Sequence, residues 1–244
     1  MAITGTYNFN PNVGEIMEEA FERAGANLES GNHVQSARRS LNLIALEWQN
    51  KGVNLWTVDE AVIAASSIGP GNASYNLDIN TIGILDAVIR TDHGDSSLQR
   101  DLTISRMSSS TYSQITDKLS TGRPLQYWFR RIGVKGGSSG GSDIPPTVTF
   151  WPVPDELNKY TFVYWRMRRI ADMDGNISNT VDVPDRFIPA LISNLAYAMA
   201  CKIPASMGRV PMLEAKMNKD WIEATEEDRD KEDMFITPNL SAYR

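Results

Sequence analysis

A nucleophile–His–acid relay needs an imidazole within reach of a nucleophile. The 244-residue chain has two histidines, His33 and His93, and no G-x-S-x-G elbow accompanies either. His33 stands at a helix start and His93 in a polar turn, and both read as surface histidines. Asp92, His93 and Asp95 offer three donors for a divalent metal, but no second cluster completes the set, so no metal site is expected. Asp172-Met173-Asp174-Gly175-Asn176 has the outline of a calcium loop. That loop needs Gly at its sixth position and Glu at its twelfth; here Gly175 is fourth and Val183 twelfth. Asp174-Gly175 is better explained as a hairpin turn. No Gly-rich phosphate loop or Walker lysine is present. Glu223, Glu226, Glu227 and Asp228, beside Arg229 and Lys231, read as solvated charge on a helix end. The chain is therefore expected to be no enzyme and to need no cofactor.

Basic residues cluster at Arg38-Arg39, Arg130-Arg131 and Arg166-Met167-Arg168-Arg169. The last two clusters flank aromatics, the outline of a nucleic-acid platform. A net charge of −6 and a pI near 5.0 argue against nonspecific capture of nucleic acid by the whole molecule. Arginine forks also suit carboxylates in protein interfaces, so ion pairs within a sheet or between subunits are the preferred reading. The lone Cys201 excludes a disulfide framework within the chain and reads as a small buried hydrophobe.

These side chains hang on a legible pattern of elements. Pro184–Lys202 carries Leu191, Leu195, Ala198 and Met199 at helical spacing, with Phe187, Ile188 and Ile192 widening the apolar sector. Asp185 is expected to cap this helix, with Pro189 in its first turn. Asn12 and Glu15 have the spacing of a capping pair before a short helix that Gly25 stops. Ala37, Leu41, Ile44 and Trp48 give the next helix, to Lys51, its strongest periodic face. Pro211 can open a last helix carrying Leu213, Met217, Trp221 and Ala224. Between the two helical ends the period changes to 2. Val58–Ser67, Tyr75–Ile79, Ile84–Thr91, Leu98–Ile104, Leu125–Arg130, Val148–Trp151 and Tyr160–Arg169 read as strands. Ser108–Leu119 is expected to make a helical turn or two. Gly133–Pro146 reads as a Gly/Ser-rich hairpin tip or an assembly contact.

The expected fold is α+β: a four-helix bundle built from both chain ends, an inserted antiparallel β-rich domain and a flexible C-terminal arm. Its boundaries are 1–54 for the N-terminal arm and first two helices, 55–183 for the insertion, 184–233 for the last two helices and 234–244 for the arm. The bundle core is expected at Ala37, Leu41, Ile44, Trp48, Leu191 and Leu195. The residues before Asn10 show neither the basic nor the apolar region of a signal peptide. No apolar run approaches the ~20 residues that span a bilayer. A product without membrane contact, assembled in the cytoplasm, is expected.

Ala37-Arg38-Arg39-x-Leu41-Asn42-x-Ile44, then Gln49-x-Lys51-Gly52 with Trp56 beyond, resembles the start of the head-to-tail adaptors of short-tailed, podovirus-like bacteriophages, also called tail tubular protein A. The order that follows is similar too: a β-rich insertion, the aromatic strand Tyr160–Arg169, Asp182-x-Pro184-Asp185, and the helix through Leu195–Ala200. The likeness runs over about residues 12–235 and rests mainly on order. It implies a homo-oligomeric ring, dodecameric in that family, at the head–tail junction of the virion. The ring would sit between the portal protein and the tail nozzle protein and give double-stranded DNA a passage without sequence-specific binding. The C-terminal tail would reach the portal, with Phe235, Ile236, Pro238 and Tyr243 as anchors, and Arg130, Arg166 and Arg168 become candidates for the ring interface. Another virion connector, stopper or tail-structural protein is the alternative.

Overall fold

The computed structural model describes residues 9–27, 31–52, 55–95, 97–133, 142–173 and 176–228. Its α-helices are α1 (Val13–Ala24), α2 (Gly31–Lys51), α3 (Ser109–Gln114), α4 (Ile188–Ala200) and α5 (Val210–Glu227). Its strands are β1 (Val58–Ile63), β2 (Ser74–Asn76), β3 (Thr81–Thr91), β4 (Arg100–Thr103), β5 (Ser105–Met107), β6 (Gln126–Arg130), β7 (Thr147–Trp151) and β8 (Tyr160–Arg168). The chain divides into two compact units, one made of Met1–Val53 with Asp172–Arg244 and the other of Asn54–Ala171.

In the first unit, α1 begins at a reciprocal capping box. The Asn12 side chain accepts from the Glu15 N–H at 2.9 Å, and the Glu15 carboxylate accepts from the Asn12 N–H at 2.9 Å. Val13, Ile16, Met17, Ala20, Phe21 and Ala24 form its buried face. The helix ends at Gly25 with φ +75°, and the Arg209 guanidinium lies 2.6–2.8 Å from where a Cβ would sit, donating to the Arg23 carbonyl at 3.2 Å. Glycine is required there for its backbone and for the room it leaves.

α4 is apolar over most of its circumference and buries Ile188, Ala190, Leu191, Ile192, Leu195, Ala196, Met199 and Ala200. Burial of each large side chain is worth about 1.5–3 kcal/mol. Pro189 lies in its first turn, where a missing N–H costs little. Asp185 does not cap it. A single 3-10 turn, Asp185–Phe187, precedes the helix, and the Asp185 carbonyl accepts from the Ile188 N–H.

The expected four-helix bundle does not form. With two four-stranded sheets and five α-helices among the described residues, the fold is α+β. Its helical unit is arranged around a hub: α1, α2 and α5 each pack their main chain chiefly against α4 rather than against one another. The cause is the uneven distribution of apolar surface. α4 can face three partners, whereas α5 fully buries only Leu213, Asp220 and Ala224. The C-terminal arm expected at 234–244 lies outside the described residues.

The second unit contains the two sheets, ordered β1-β8-β3-β4 and β2-β7-β6-β5. β8 is central in the first. Its Phe162 stands opposite Ile63 on β1 and Ile89 on β3, and Tyr164 opposite Ala61 and Ala87. In the second sheet Tyr127 faces Phe150 and Phe129 faces Val148 across β6 and β7. The sheets share an aromatic core in which Phe162 meets Phe150 at 5.0 Å and Tyr127 at 5.6 Å, both edge-on. The insertion is not wholly antiparallel: β5 pairs with β6 in parallel. The strand expected at Leu98–Ile104 is the shorter β4, laddered onto β3, and the residues just beyond it form β5 on β6 in the other sheet. Ile104, buried between them, is where the chain changes sheet.

Candidate functional site

The described residues hold no group of three His, Cys, Asp or Glu side chains able to bind a metal ion. His33 is half-buried and stacks on Phe21 at 5.7 Å, so it is less exposed than a surface histidine. His93 is exposed in its turn beside Asp92, whose φ is +52°. Asp174 and Gly175 lie outside the described residues. Cys201 is exposed, against the expectation of burial, because it follows the last residue of α4 and is off that helix's buried face.

Of the carboxylates that read as surface charge, Asp228 proves internal, as does Asp220, which the sequence did not single out. The side chain of Asp228 is 3% exposed and pairs with Arg186. Asp220, also 3% exposed, pairs with Lys216 and accepts from Ser193, whose hydroxyl also accepts from Arg23 at 3.2 Å. A buried carboxylate needs such partners. Two of them tether α5 to the residues around α4. Glu223 and Glu226 remain exposed.

The expected core residues are internal. Ala37, Leu41, Leu191 and Leu195 are fully buried, Trp48 and Ile44 nearly so. Trp48 packs against Phe187 at 5.7 Å and Trp221 at 5.2 Å, and Lys51 lies 4.5 Å over the Trp221 ring. Phe235, Ile236, Pro238 and Tyr243 lie outside the described residues.

The three arginines assigned to an interface divide. Arg166 is engaged within its own unit: its fork donates to both Asp59 oxygens at 2.7 and 3.3 Å and to the Thr81 hydroxyl at 3.1 Å, with Asp78 at 3.3 Å. The hydrogen bond to Asp59 raises its pKa further. Arg168 lies 3.9 Å from the same Asp59 carboxylate and donates to the Arg169 carbonyl. Arg130 is exposed and rests over the Trp128 ring at 5.5 Å.

Alternation along β6 turns Tyr127 and Phe129 into the core and leaves Gln126, Trp128 and Arg130 on the other face. There Trp128 stacks on Tyr112 of α3 at 5.0 Å and 25°, and Lys118 lies 5.7 Å over Tyr112. Ser108 makes this possible by capping α3 through the Thr111 N–H, which fixes Tyr112 above the sheet. The result is a column ordered Lys118, Tyr112, Trp128, Arg130, while Arg106 lies over Phe129, on the other face of β6, at 5.7 Å. Sequence reasoning missed it because α3 and β6 are separate segments. A second surface feature belongs to the helical unit, a groove of about 730 Å³ with an apolar floor of Ile16, Ile188, Pro189 and Ile192 and carboxylates at Glu15, Glu19 and Asp185.

Both surfaces set charge beside apolar side chains, which suits contact with another macromolecule. A family profile described as SU10 adaptor protein matches residues 11–239. The chain belongs to the SU10 adaptor protein family. It is a phage structural adaptor that assembles with other virion components. A comparison with curated proteins gave no match. No helix among the adaptor's described residues is long and apolar enough to cross a membrane.

Proposed function

We infer that this adaptor forms a ring, of twelve subunits as in the tail tubular protein A type, between the capsid portal and the tail nozzle, and that double-stranded DNA passes through it. The family match over residues 11–239 carries this reading. The sequence order from Ala37-Arg38-Arg39 to the Leu195–Ala200 helix supports it. In this reading 1–54 and 184–233 serve as the scaffold, 55–183 supplies contacts to neighbouring subunits, and 234–244 engages the portal through Phe235, Ile236, Pro238 and Tyr243. A closed ring needs two different, complementary faces on each subunit, and a net charge of −6 lets DNA move without being held. No catalytic step is required.

The test is to mix the purified chain with portal protein and image the product. Rings seated on the portal are expected. Absence of both ring and portal complex across a wide concentration range would overturn the reading. Deleting 234–244 is expected to leave the fold intact, read by circular dichroism, and to abolish portal binding.

A further inference from the structure

The geometry points to the Lys118–Tyr112–Trp128–Arg130 column as a docking surface for the acidic end of α5, Ile222–Glu226, from a second copy of this chain. The inference rests on the ring reading only for the expectation that copies meet head to tail.

The column is preorganised. Tyr112 and Trp128 stack at 5.0 Å, which holds two long cations without further ordering cost. Lys118 is anchored by donating to the Ile115 carbonyl at 2.7 Å. Arg130 is exposed and forms no ion pair among the described residues. Elsewhere in this unit arginine meets carboxylate directly: Arg90 with Asp101 at 2.7 Å and Arg166 with Asp59 at 2.7 Å. The column therefore displays cations that its own surroundings leave unneutralised.

The rings argue against nucleic acid as the occupant. Base stacking needs an open aromatic face. Here Tyr112 is already engaged by Trp128 and Lys118, and Trp128 by Tyr112 and Arg130. What remains on offer is positive charge beside apolar edges. The matching surface is a carboxylate pair beside an apolar side chain. α5 presents this with Glu223 and Glu226, neighbours on one helical face at i and i+3, next to Ile222, which is 54% exposed. Asp228 is already committed to Arg186, and among the described residues Glu223 pairs with Lys219 alone, at 3.6 Å on an exposed flank. The sequence continues acidic through Asp230, Glu232 and Asp233. Cationic column and acidic helix end are distinct surfaces, the heterologous pair that a head-to-tail contact needs.

Charge exchange on the full chain tests this. Lys118→Glu with Arg130→Glu, and separately Glu223→Lys with Glu226→Lys, should each weaken self-association in sedimentation velocity at least about tenfold. A one-to-one mixture of the two variants should restore it, since each then presents what the other lacks. Lys118→Gln with Arg130→Gln should weaken association and flatten its salt dependence, which guards against a charge-reversed variant that misfolds. Unchanged association of the variants, failure of the mixture to recover, or a native chain that stays monomeric at every concentration reached would each overturn the inference. So would loss of duplex DNA binding on Lys118→Glu/Arg130→Glu with association intact. Portal binding is read in parallel: a chain that binds portal while its copies ignore the column refutes the docking surface alone, and a chain that binds no portal refutes the adaptor placement.

Discussion

Asn42 and Met173 exchange two hydrogen bonds across 131 residues of sequence: Asn42 Nδ2 donates to the Met173 carbonyl at 3.2 Å, and the Met173 N–H donates to Asn42 Oδ1 at 2.8 Å. The amide stands in for a peptide group, so α2 satisfies the main chain of a segment with no ladder of its own. Asn42→Ala strands both Met173 groups in a half-buried place and should cost about 1–3 kcal/mol. Asn42→Asp keeps the acceptor, loses the donor and sets a carboxylate against a carbonyl, and should not rescue it. Urea midpoints of the full chain compare the two.

Trp48 should tolerate one truncation and not another. Its ring lies between Phe187 and Trp221, and its Nε1–H is buried with no hydrogen-bond partner among the described residues. Trp48→Ala should cost about 3–5 kcal/mol through the cavity it leaves. Trp48→Phe keeps most of the apolar contact and removes the unsatisfied donor, so it should cost much less. Equal losses of thermal stability in the two variants would contradict this packing.

Tyr160 predicts an alkaline limit for the β-sheet unit. Desolvation, followed by donation of its hydroxyl to Asp155 at 2.8 Å, pushes its pKa up to about 12. A folded pKa raised above the unfolded value contributes stability that is complete below about pH 10 and lost as pH rises through the folded value. Tyr160→Phe should remove that alkaline component, seen in denaturation between about pH 10 and 12, and should remove one late step from the phenolate absorbance titration.

Arg90 and Asp101 predict the opposite limb. The guanidinium at 2.7 Å holds the Asp101 pKa below the usual carboxylate range. Its contribution is present above the unfolded pKa and disappears as pH falls through the folded one. Arg90→Gln should flatten the acid limb slightly, since the pair is partly solvated, and high salt should mimic it. An acid limb unchanged by both would show the pair to be silent.

Leu195 is fully buried at the centre of the helical unit. Leu195→Asp buries a charge with no partner and should abolish soluble folded protein. Leu195→Met conserves volume and should cost under about 1.5 kcal/mol. Soluble expression and circular dichroism distinguish the two.

Where local residue order determines local geometry, the sequence was readable. Asn12 with Glu15 announces a capping box, Leu41, Ile44 and Trp48 an inward face, and Pro189 a first turn. Where the outcome depends on distant partners, it was not. The alternation read from Leu98 to Ile104 carries no mark of the change of sheet that follows it, because period 2 specifies faces and not neighbours. Asp228 read as solvated charge because Arg186, which holds it, stands 42 residues away, and Asp220, held by Ser193 27 residues away, drew no notice. The apolar breadth of α4 was legible, but how its partners share that surface was not, and this turned an expected bundle into a hub. Tyr112 and Trp128 could be recognised as aromatics, yet only folding brings them together.

The helical unit takes α1 and α2 from one chain end and α4 and α5 from the other, which sets a timetable for synthesis. At ~5–20 residues per second, α2 emerges from the ribosome on the order of ten seconds before α4. During that interval Ile16, Phe21, Leu41 and Trp48 have no α4 to cover them, while the contiguous Asn54–Ala171 unit emerges whole and can close first. Those apolar faces stay open to association for that interval, so the yield of the nascent adaptor in cells should depend on holdase supply more than its equilibrium stability would indicate.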